Sequence, residues 1–280
     1  MTAFLKMHGL GNDFAVFDAR NQKLALDGAA ARALADRRFG VGCDQVIVIE
    51  PAANGADAFM RIYNSDGGEV ESCGNAARCV AHLLMDEKGS SEIRLDTTGG
   101  ALVCRADGAN VSVDMGVPKF GWRDIPMARE TDTLSFAIHV PDSDFYPLKI
   151  ASAVNVGNPH AVLFVQDAEH APVSELGPRI EKHPLFPERT NVEFVSLLSK
   201  DKLRMRVWER GVGITMACGT GACATMVAAH RRGLVGHRAE VVLDGGSLSL
   251  QWAGDGSPVI MTGPWAKAYK GDVDLAALTR

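Results

Sequence analysis

Ser72-Cys73-Gly74-Asn75-Ala76-Ala77-Arg78-Cys79 decides how this chain is read, because a second stretch answers it: Ala217-Cys218-Gly219-Thr220-Gly221-Ala222-Cys223. Each carries a Cys-Gly, and another Cys follows the first one six residues on in the first stretch and five in the second. After Cys73, Ala77, Val80, Ala81 and Leu84 fall at i, i+3, i+4 and i+7, one face of a helix. After Cys218, Ala222, Met226 and Ala229 follow nearly the same spacing. Gly89 and Gly233 stand where a helix would stop, preceded by Lys88 and by Arg231-Arg232. Each lead cysteine is therefore expected at a helix N-terminus.

The match extends outward from the cysteines. At a shift of 145, Met60-Arg61-Ile62-Tyr63-Asn64 lies over Met205-Arg206-Val207-Trp208-Glu209. At 146, Gly11-Asn12-Asp13-Phe14-Ala15-Val16 lies over Gly157-Asn158-Pro159-His160-Ala161-Val162, Gln45-Val46-Ile47-Val48 over Asn191-Val192-Glu193-Phe194, and Gly99-Gly100 over Gly245-Gly246. At 148, Asp107-Gly108 lies over Asp255-Gly256. Ordered matches at a nearly constant offset mean two copies of one unit. With 280 residues, each copy is long enough for its own core.

Composition narrows the function. A net charge of −5 with no Lys/Arg run argues against a nucleic-acid surface. No apolar run reaches the roughly 18 residues of a membrane span, and the opening Met1-Thr2-Ala3-Phe4-Leu5-Lys6-Met7-His8 lacks a signal-peptide core. The expected location is the cytoplasm, with the six cysteines (43, 73, 79, 104, 218 and 223) as reduced thiols. There is no Cys-x-x-Cys and the histidines are scattered, so no metal site is expected.

Along the chain, Phe4 to Asp18 reads as strand, turn, strand, and Asp27 as the cap of a helix from Gly28 to about Arg38. Strands follow at Val46–Glu50 and Ala58–Asn64, then the first Cys helix, then short strands near 93–95, 101–105 and 111–115 joined by Gly-Gly and Asp-Gly turns. Residues 118 to 150 carry Pro118, Pro126, Pro141 and Pro147, the expected crossing between copies. The second copy repeats the order, with a Pro-rich loop and short helix between Pro172 and Pro187. Trp265 to Arg280 has no counterpart in the repeat. The expected fold is α+β: two pseudo-symmetric domains, each a curved, mostly antiparallel or mixed sheet or barrel wrapped around a central helix. Residues 118–263 would form the C-terminal domain and residues 1–117 the body of the N-terminal one.

Two related units commonly meet about a pseudo-two-fold axis. If both Cys helices point at that seam, one cleft holds two thiols, each at a helix start. Such a start offers orphan N–H groups and about half a positive charge, which favours thiolate over thiol and binds a carboxylate. Thiols on opposite faces of one carbon suit proton removal from one side and delivery from the other, inverting a stereocentre. N–H groups on the adjacent carboxylate would stabilise the developing charge. His160 and Glu209 are candidate proton acceptors or tuners of these thiols. The polar residues at repeat anchors are Asn12, Gln45, Asn64, Asn158, Asn191, Glu209 and Arg210, a set that suits a zwitterionic amino acid: Arg for carboxylate, Glu and amide oxygens for ammonium. Cys43, Cys79, Cys104 and Cys223 read as small apolar core residues, and Asp13 and Asp44 as either capping or structural.

Lys6-Met7-His8-Gly9-Leu10-Gly11-Asn12-Asp13-Phe14, Gly42-Cys43-Asp44-Gln45, Asn64-Ser65-Asp66-Gly67 through Cys73-Gly74-Asn75, Gly157-Asn158-Pro159-His160, Thr190-Asn191, Glu209-Arg210-Gly211 and the second Cys motif together resemble the diaminopimelate epimerases, over nearly the whole chain and in the right order. The resemblance implies a cofactor-independent epimerase that interconverts LL- and meso-diaminopimelate in lysine and peptidoglycan precursor synthesis. It implies Cys73 and Cys218 as the acid/base pair, and helix-start amides at Gly74, Asn75, Gly219 and Thr220 on the reacting carboxylate. Asn64, Asn158, Asn191, Glu209 and Arg210 would read the distal end of the substrate, with Asn12 and Gln45 nearer the reacting centre and His160 and Glu209 adjusting the thiols. It further implies that the C-terminal tail, residues 264–280, returns to the first domain, and that the protein is a homodimer with the Tyr269 region as a candidate interface. Ser72 and Ala76 depart from the motif, where Met and Gly are usual, which touches local packing. The proline racemases and hydroxyproline epimerases share the two-cysteine plan, but their first Cys-Gly is usually followed by His, where Asn75 stands here. A non-catalytic amino-acid-binding protein and a thiol–disulfide oxidoreductase are the readings from other classes.

Overall fold

The structure, a computed structural model, describes residues 1–140 and 150–278. It divides into two compact units, Met1–Asp114 with the segment from Thr262 onward, and Met115–Met261. Of the prolines expected to mark the crossing, Pro141 and Pro147 lie outside the described residues.

The first unit runs β1 (Thr2–Gly9), β2 (Asn12–Asp18), α1 (Gly28–Ala35), β3 (Gln45–Glu50), β4 (Ala58–Asn64), α2 (Gly74–Lys88), β5 (Glu92–Thr97), β6 (Gly100–Asp107) and β7 (Asn110–Asp114). The second runs β8 (Ala151–Asn155), β9 (Pro159–Phe164), α3 (Val173–Glu181), β10 (Asn191–Ser199), β11 (Lys202–Glu209), β12 (Gly213–Ile214), α4 (Gly219–Arg231), β13 (Arg238–Leu243), β14 (Gly246–Trp252) and β15 (Val259–Gly263). The chain ends with β16 (Ala266–Val273) and α5 (Leu275–Leu278). β16 pairs antiparallel with β1, so the tail lies on the first unit.

The two units share one pairing scheme. β1–β2 is antiparallel, β2–β3 parallel, β3–β4 antiparallel and β4–β5 parallel. In the second unit β8–β9, β9–β10, β10–β11 and β11–β13 repeat those directions in the same order. Register repeats as well: Phe14 faces Gln45 across β2–β3, and His160 faces Asn191 across β9–β10. β12 on β11 pairs Trp208 with Ile214, and the first unit keeps a bridge at the same place, Tyr63 with Glu69.

Each sheet is open and bent around a helix. The first strand order is β16-β1-β2-β3-β4-β5-β6-β7, and the second is β15-β14-β13-β11-β10-β9-β8. Yet α2 packs on β1 as well as on β5, β6 and β7. Strands six places apart in a flat sheet stand about 29 Å apart, whereas a helix is about 10–12 Å across. One helix reaches both only if the sheet curls round it. α4 likewise touches every strand from β14 to β8 in its order. This is the wrapped helix expected from the sequence, in its open-sheet rather than its barrel form.

Both faces of the inner strands are buried, which explains their continuous apolar runs. Ala15, Phe17, Val46 and Val48 pack with Leu34 of α1 on one face. Phe14, Val16, Ile47 and Ile49 point to the other by the two-residue period and are also buried. In the second unit Ala161, Leu163, Val192 and Phe194 pack with Leu176 and Ile180 of α3. His160 and Glu193 fall on the opposite face, toward α4. Gly177 lets α3 lie against Trp208, since a Cβ there would meet the indole at 2.6 Å.

Local signals behave as their chemistry dictates. Leu10 and Gly11 turn β1 into β2 with φ of 57° and 83°, the left-handed pair that a two-residue hairpin requires. Asp27 caps α1, its Oδ1 accepting from Ala30 N at 2.9 Å. α1 stops at Ala35 rather than near Arg38, because Asp36 Oδ1 accepts from Arg38 and Phe39 N and turns the chain. Gly89, at φ 63°, closes α2 with its N–H on Met85 O.

Candidate active site

Cys73 and Cys218 are the N-caps of α2 and α4, both in extended backbone conformation. The first helical N–H groups to close back are those of Ala77 onto Cys73 O (2.9 Å) and Ala222 onto Cys218 O (3.0 Å). The N–H groups of the first turn therefore point out of each helix end, where an anion is favoured.

Amides stand beside Cys73. Its Sγ lies 3.8 Å from Asn12 Oδ1, which also accepts from Asn75 Nδ2 at 3.2 Å. Asn12 Nδ2 in turn donates to Asp44 Oδ2 at 3.1 Å. Asp44 is gripped by Arg37, which also bonds Asp13, and Lys6 Nζ sits 2.5 Å from Asp13. Burial alone would raise the Asp13 carboxyl, but Arg37 and Lys6 bring it down to about 2. The result is a charged bracket that orients one amide toward the sulfur. Gly9 completes the fit: a Cβ there would lie 2.9 Å from Arg78 Nη2 and 3.2 Å from Asn75 Cβ. Beside this group, Gln45 Nε2 donates to Asn64 Oδ1 at 2.9 Å.

Around Cys218 stand two carboxyl side chains and a histidine as well as amide and hydroxyl groups. Cys218 Sγ accepts from Gly221 N at 3.4 Å and lies 3.5 Å from Thr220 Oγ1. Glu209 is held by Thr215 Oγ1, and its charge bears on the Cys218 sulfur. His160, fully buried, sets Nδ1 2.7 Å from Glu193 Oε1 and Nε2 2.7 Å from Asn158 Oδ1. Burial pushes the Glu209 carboxyl up to about 7, against the pull of Thr215 and His160. Burial also drives the Cys218 thiol well above its usual range, with the Glu209 and Glu193 charges adding to it. The sequence led to the opposite expectation, a helix start that favours thiolate. At Cys218 desolvation and two carboxylates outweigh the half-charge of the helix end.

The residues singled out from sequence thus fall into groups. Asn12, Cys73, Gly74 and Asn75 stand together, and Gln45 stands with Asn64. Asn158, His160, Glu209, Cys218, Gly219 and Thr220 surround the second helix start. Asn191 is turned to the backbone, its Nδ2 donating to Pro159 O at 2.9 Å and its Oδ1 accepting from Arg210 N at 2.9 Å. The Arg210 guanidinium, on an exposed residue, reaches Glu188 O at 3.3 Å. Tyr269 is half exposed on β16.

Sequence reasoning missed Glu193 and the bracket of Lys6, Arg37, Asp13 and Asp44. For Glu193 a signal existed: a carboxylate sits in an otherwise apolar strand where the first copy has Ile47. Among the described residues, no helix is long and apolar enough to cross a membrane.

Comparison with known proteins places the chain in a family. The sequence model of the diaminopimelate epimerase family matches residues 4–121 and 152–268. The diaminopimelate epimerase of Rhodospirillum centenum is 55% identical over 278 residues, covering 98% of this chain and 93% of the relative. That of Nitrosomonas europaea is 45% identical over 97% of this chain and 98% of its own. Among solved structures, a probable proline racemase from Agrobacterium radiobacter superposes with a TM-score of 0.70 at 18% identity, over 98% of this chain and 93% of the other. A phenazine biosynthesis protein of the PhzF family from Bacillus anthracis gives 0.68 at 15%, over 97% and 98%. These structures share the fold; the sequence matches carry the kinship, and the chain belongs to the diaminopimelate epimerase family.

Proposed function

We propose that this chain interconverts LL- and meso-diaminopimelate by moving the α-proton between Cys73 and Cys218. The observation that carries the reading is the matched pair of Cys-Gly helix starts, each with proton-handling or amide side chains behind it. The reading requires the two helix starts to meet across one substrate, in a cleft between the domains. There the N–H groups of Gly74, Asn75, Gly219 and Thr220 hold the reacting carboxylate. One sulfur, as thiolate, takes the α-proton; the electron pair left on carbon is delocalised into that carboxylate, whose oxygens the helix starts stabilise. The other sulfur, as thiol, gives its proton to the opposite face. The exchange leaves the first sulfur protonated and the second ionised, so the pair titrates as a unit. Because both thiols act without an external electron sink, the reading needs no cofactor.

Glu209 and His160 accept or return protons beside Cys218. Asn12 and Gln45 serve near the reacting centre, while Asn64, Asn158, Asn191, Glu209 and Arg210 read the distal amino-acid end. The high Cys218 thiol suits a resting form with that sulfur protonated. The protein is read as a cytoplasmic homodimer, with the β16 edge at Tyr269 as its interface. The test is incubation with LL-diaminopimelate and no added cofactor, followed by chiral chromatography. Formation of the meso isomer is expected; none formed by folded protein overturns the reading.

A further inference from the structure

We propose that Glu193 is a positioning residue for this reaction: it holds the His160 ring by Nδ1 and stands a fixed negative charge beside the Cys218 sulfur. The proposal deepens the proton-transfer reading and rests on it. Both members of the pair are fully buried, with His160 Nδ1 2.7 Å from Glu193 Oε1. A carboxylate only accepts, so Nδ1 carries the proton and donates. That fixes Nε2 toward Asn158, 2.7 Å away, whose amide oxygen accepts from a charged ring, and whose NH2 group, with the amide turned over, donates to a neutral one.

Glu193 Oε2 has no hydrogen-bond partner among the described residues. A buried carboxylate with one oxygen unmatched is costly, and a stability role alone is better served by the isoleucine of the first copy, Ile47. Gly221 shows where the charge acts. A Cβ on Gly221 would lie 2.9 Å from Glu193 Oε1 and 3.3 Å from Cys218 Sγ. Oxygen and sulfur are therefore no more than about 6 Å apart, within the range where one charge shifts another group's titration. Only glycine leaves that approach open. The groups facing the sulfur are Glu209 from β11, Glu193 from β10 and Thr220 from α4, with His160 of β9 tied to Glu193. Among these the two carboxylates act in one direction, keeping the sulfur protonated, and Glu193 is the one on which no step of the proton transfer calls.

The test is Glu193→Gln, which keeps an oxygen for Nδ1 and removes the charge. In a Cys73→Ser background, the pH dependence of Cys218 alkylation by iodoacetamide is read by mass spectrometry. The midpoint is expected to fall by about one pH unit. In the protein carrying Glu193→Gln alone, the alkaline limb of kcat/KM should move down in step. A folded variant with midpoint and limb unchanged overturns the proposal. The underlying reading fails separately, if Cys73→Ser and Cys218→Ser both still epimerise. Should Glu193→Gln not fold, 15N NMR of histidine-labelled, unsubstituted protein decides: the His160 ring must show a protonated Nδ1, and an unprotonated Nδ1 overturns the proposal.

Discussion

The surroundings of Cys73 and Cys218 differ more than the helices that carry them. Both cysteines occupy the N-cap position of a helix, both are followed by glycine, and an asparagine stands at the same place in each copy, Asn12 and Asn158. Behind Cys73, β2 and β3 present Phe14 and Ile47, and β4 ends in Asn64. Behind Cys218 the equivalent positions are His160, Glu193 and Glu209. Duplication kept the helix start and changed what stands at its back. The first copy supports its thiol with neutral amides braced by a charged bracket. The second surrounds its thiol with a histidine and two carboxyl side chains. A reaction that takes a proton on one side and returns it on the other can be built from two like halves, each tuned separately.

The largest expected effect removes the shared feature. Cys73→Ala and Cys218→Ala should each lower kcat by at least about 10³-fold with folding intact by circular dichroism. If one is dispensable, the two halves are not a pair. Next, Ile47→Glu writes the second copy's charge into the first without its histidine. It should destabilise the protein by about 3–5 kcal/mol in urea unfolding, the penalty of an uncompensated buried charge. A neutral result would mean that the Phe14/Ile47 layer is wet, and that the two copies do not differ in this way.

Glu209→Gln should cost about 10²-fold in kcat. It should also raise the melting temperature at alkaline pH. The Glu209 carboxyl is raised to about 7 in the folded protein, above its ordinary 4.5. The folded state therefore binds this proton more tightly than the unfolded one, and stability falls as pH rises from about 4.5 through 7. The Gln variant lacks that loss, so the two melting curves should diverge as pH rises through that window and differ most above 7. The smallest effect is in the first copy: Asp44→Ala frees Asn12 from its bracket and should reduce kcat about tenfold, with little change in the pH profile. A displaced pH profile would show that the Cys73 surroundings titrate after all.

The repeat made the architecture legible, because Cys-Gly starts and Gly stops recur where helices begin and end. Asp27 and the Leu10-Gly11 turn were readable for the same local reasons. Strand directions were not: that β2 runs parallel to β3 follows from a crossover through α1, which short-range patterning does not encode. α1 ended early because Asp36 took up backbone N–H groups. In the candidate site, asparagines at turns were visible as a set, but the main-chain bonds that orient Asn191 were not, since they need Pro159 and Arg210 in three dimensions. The bracket behind Asn12 joins residues about thirty positions apart. Glu193 hid in an apolar run that reads as a buried strand, and the rise of the Cys218 thiol depends on it and on Glu209 together.

The central claim is that one thiol removes the α-proton and a different one replaces it. It is tested most directly by running the reaction from LL-diaminopimelate in deuterated water and stopping it at low conversion. The account predicts meso product carrying one deuterium at the inverted carbon and recovered starting isomer carrying almost none. Meso product that keeps its original α-hydrogen would mean a single group moves the proton across, and would contradict the two-thiol account.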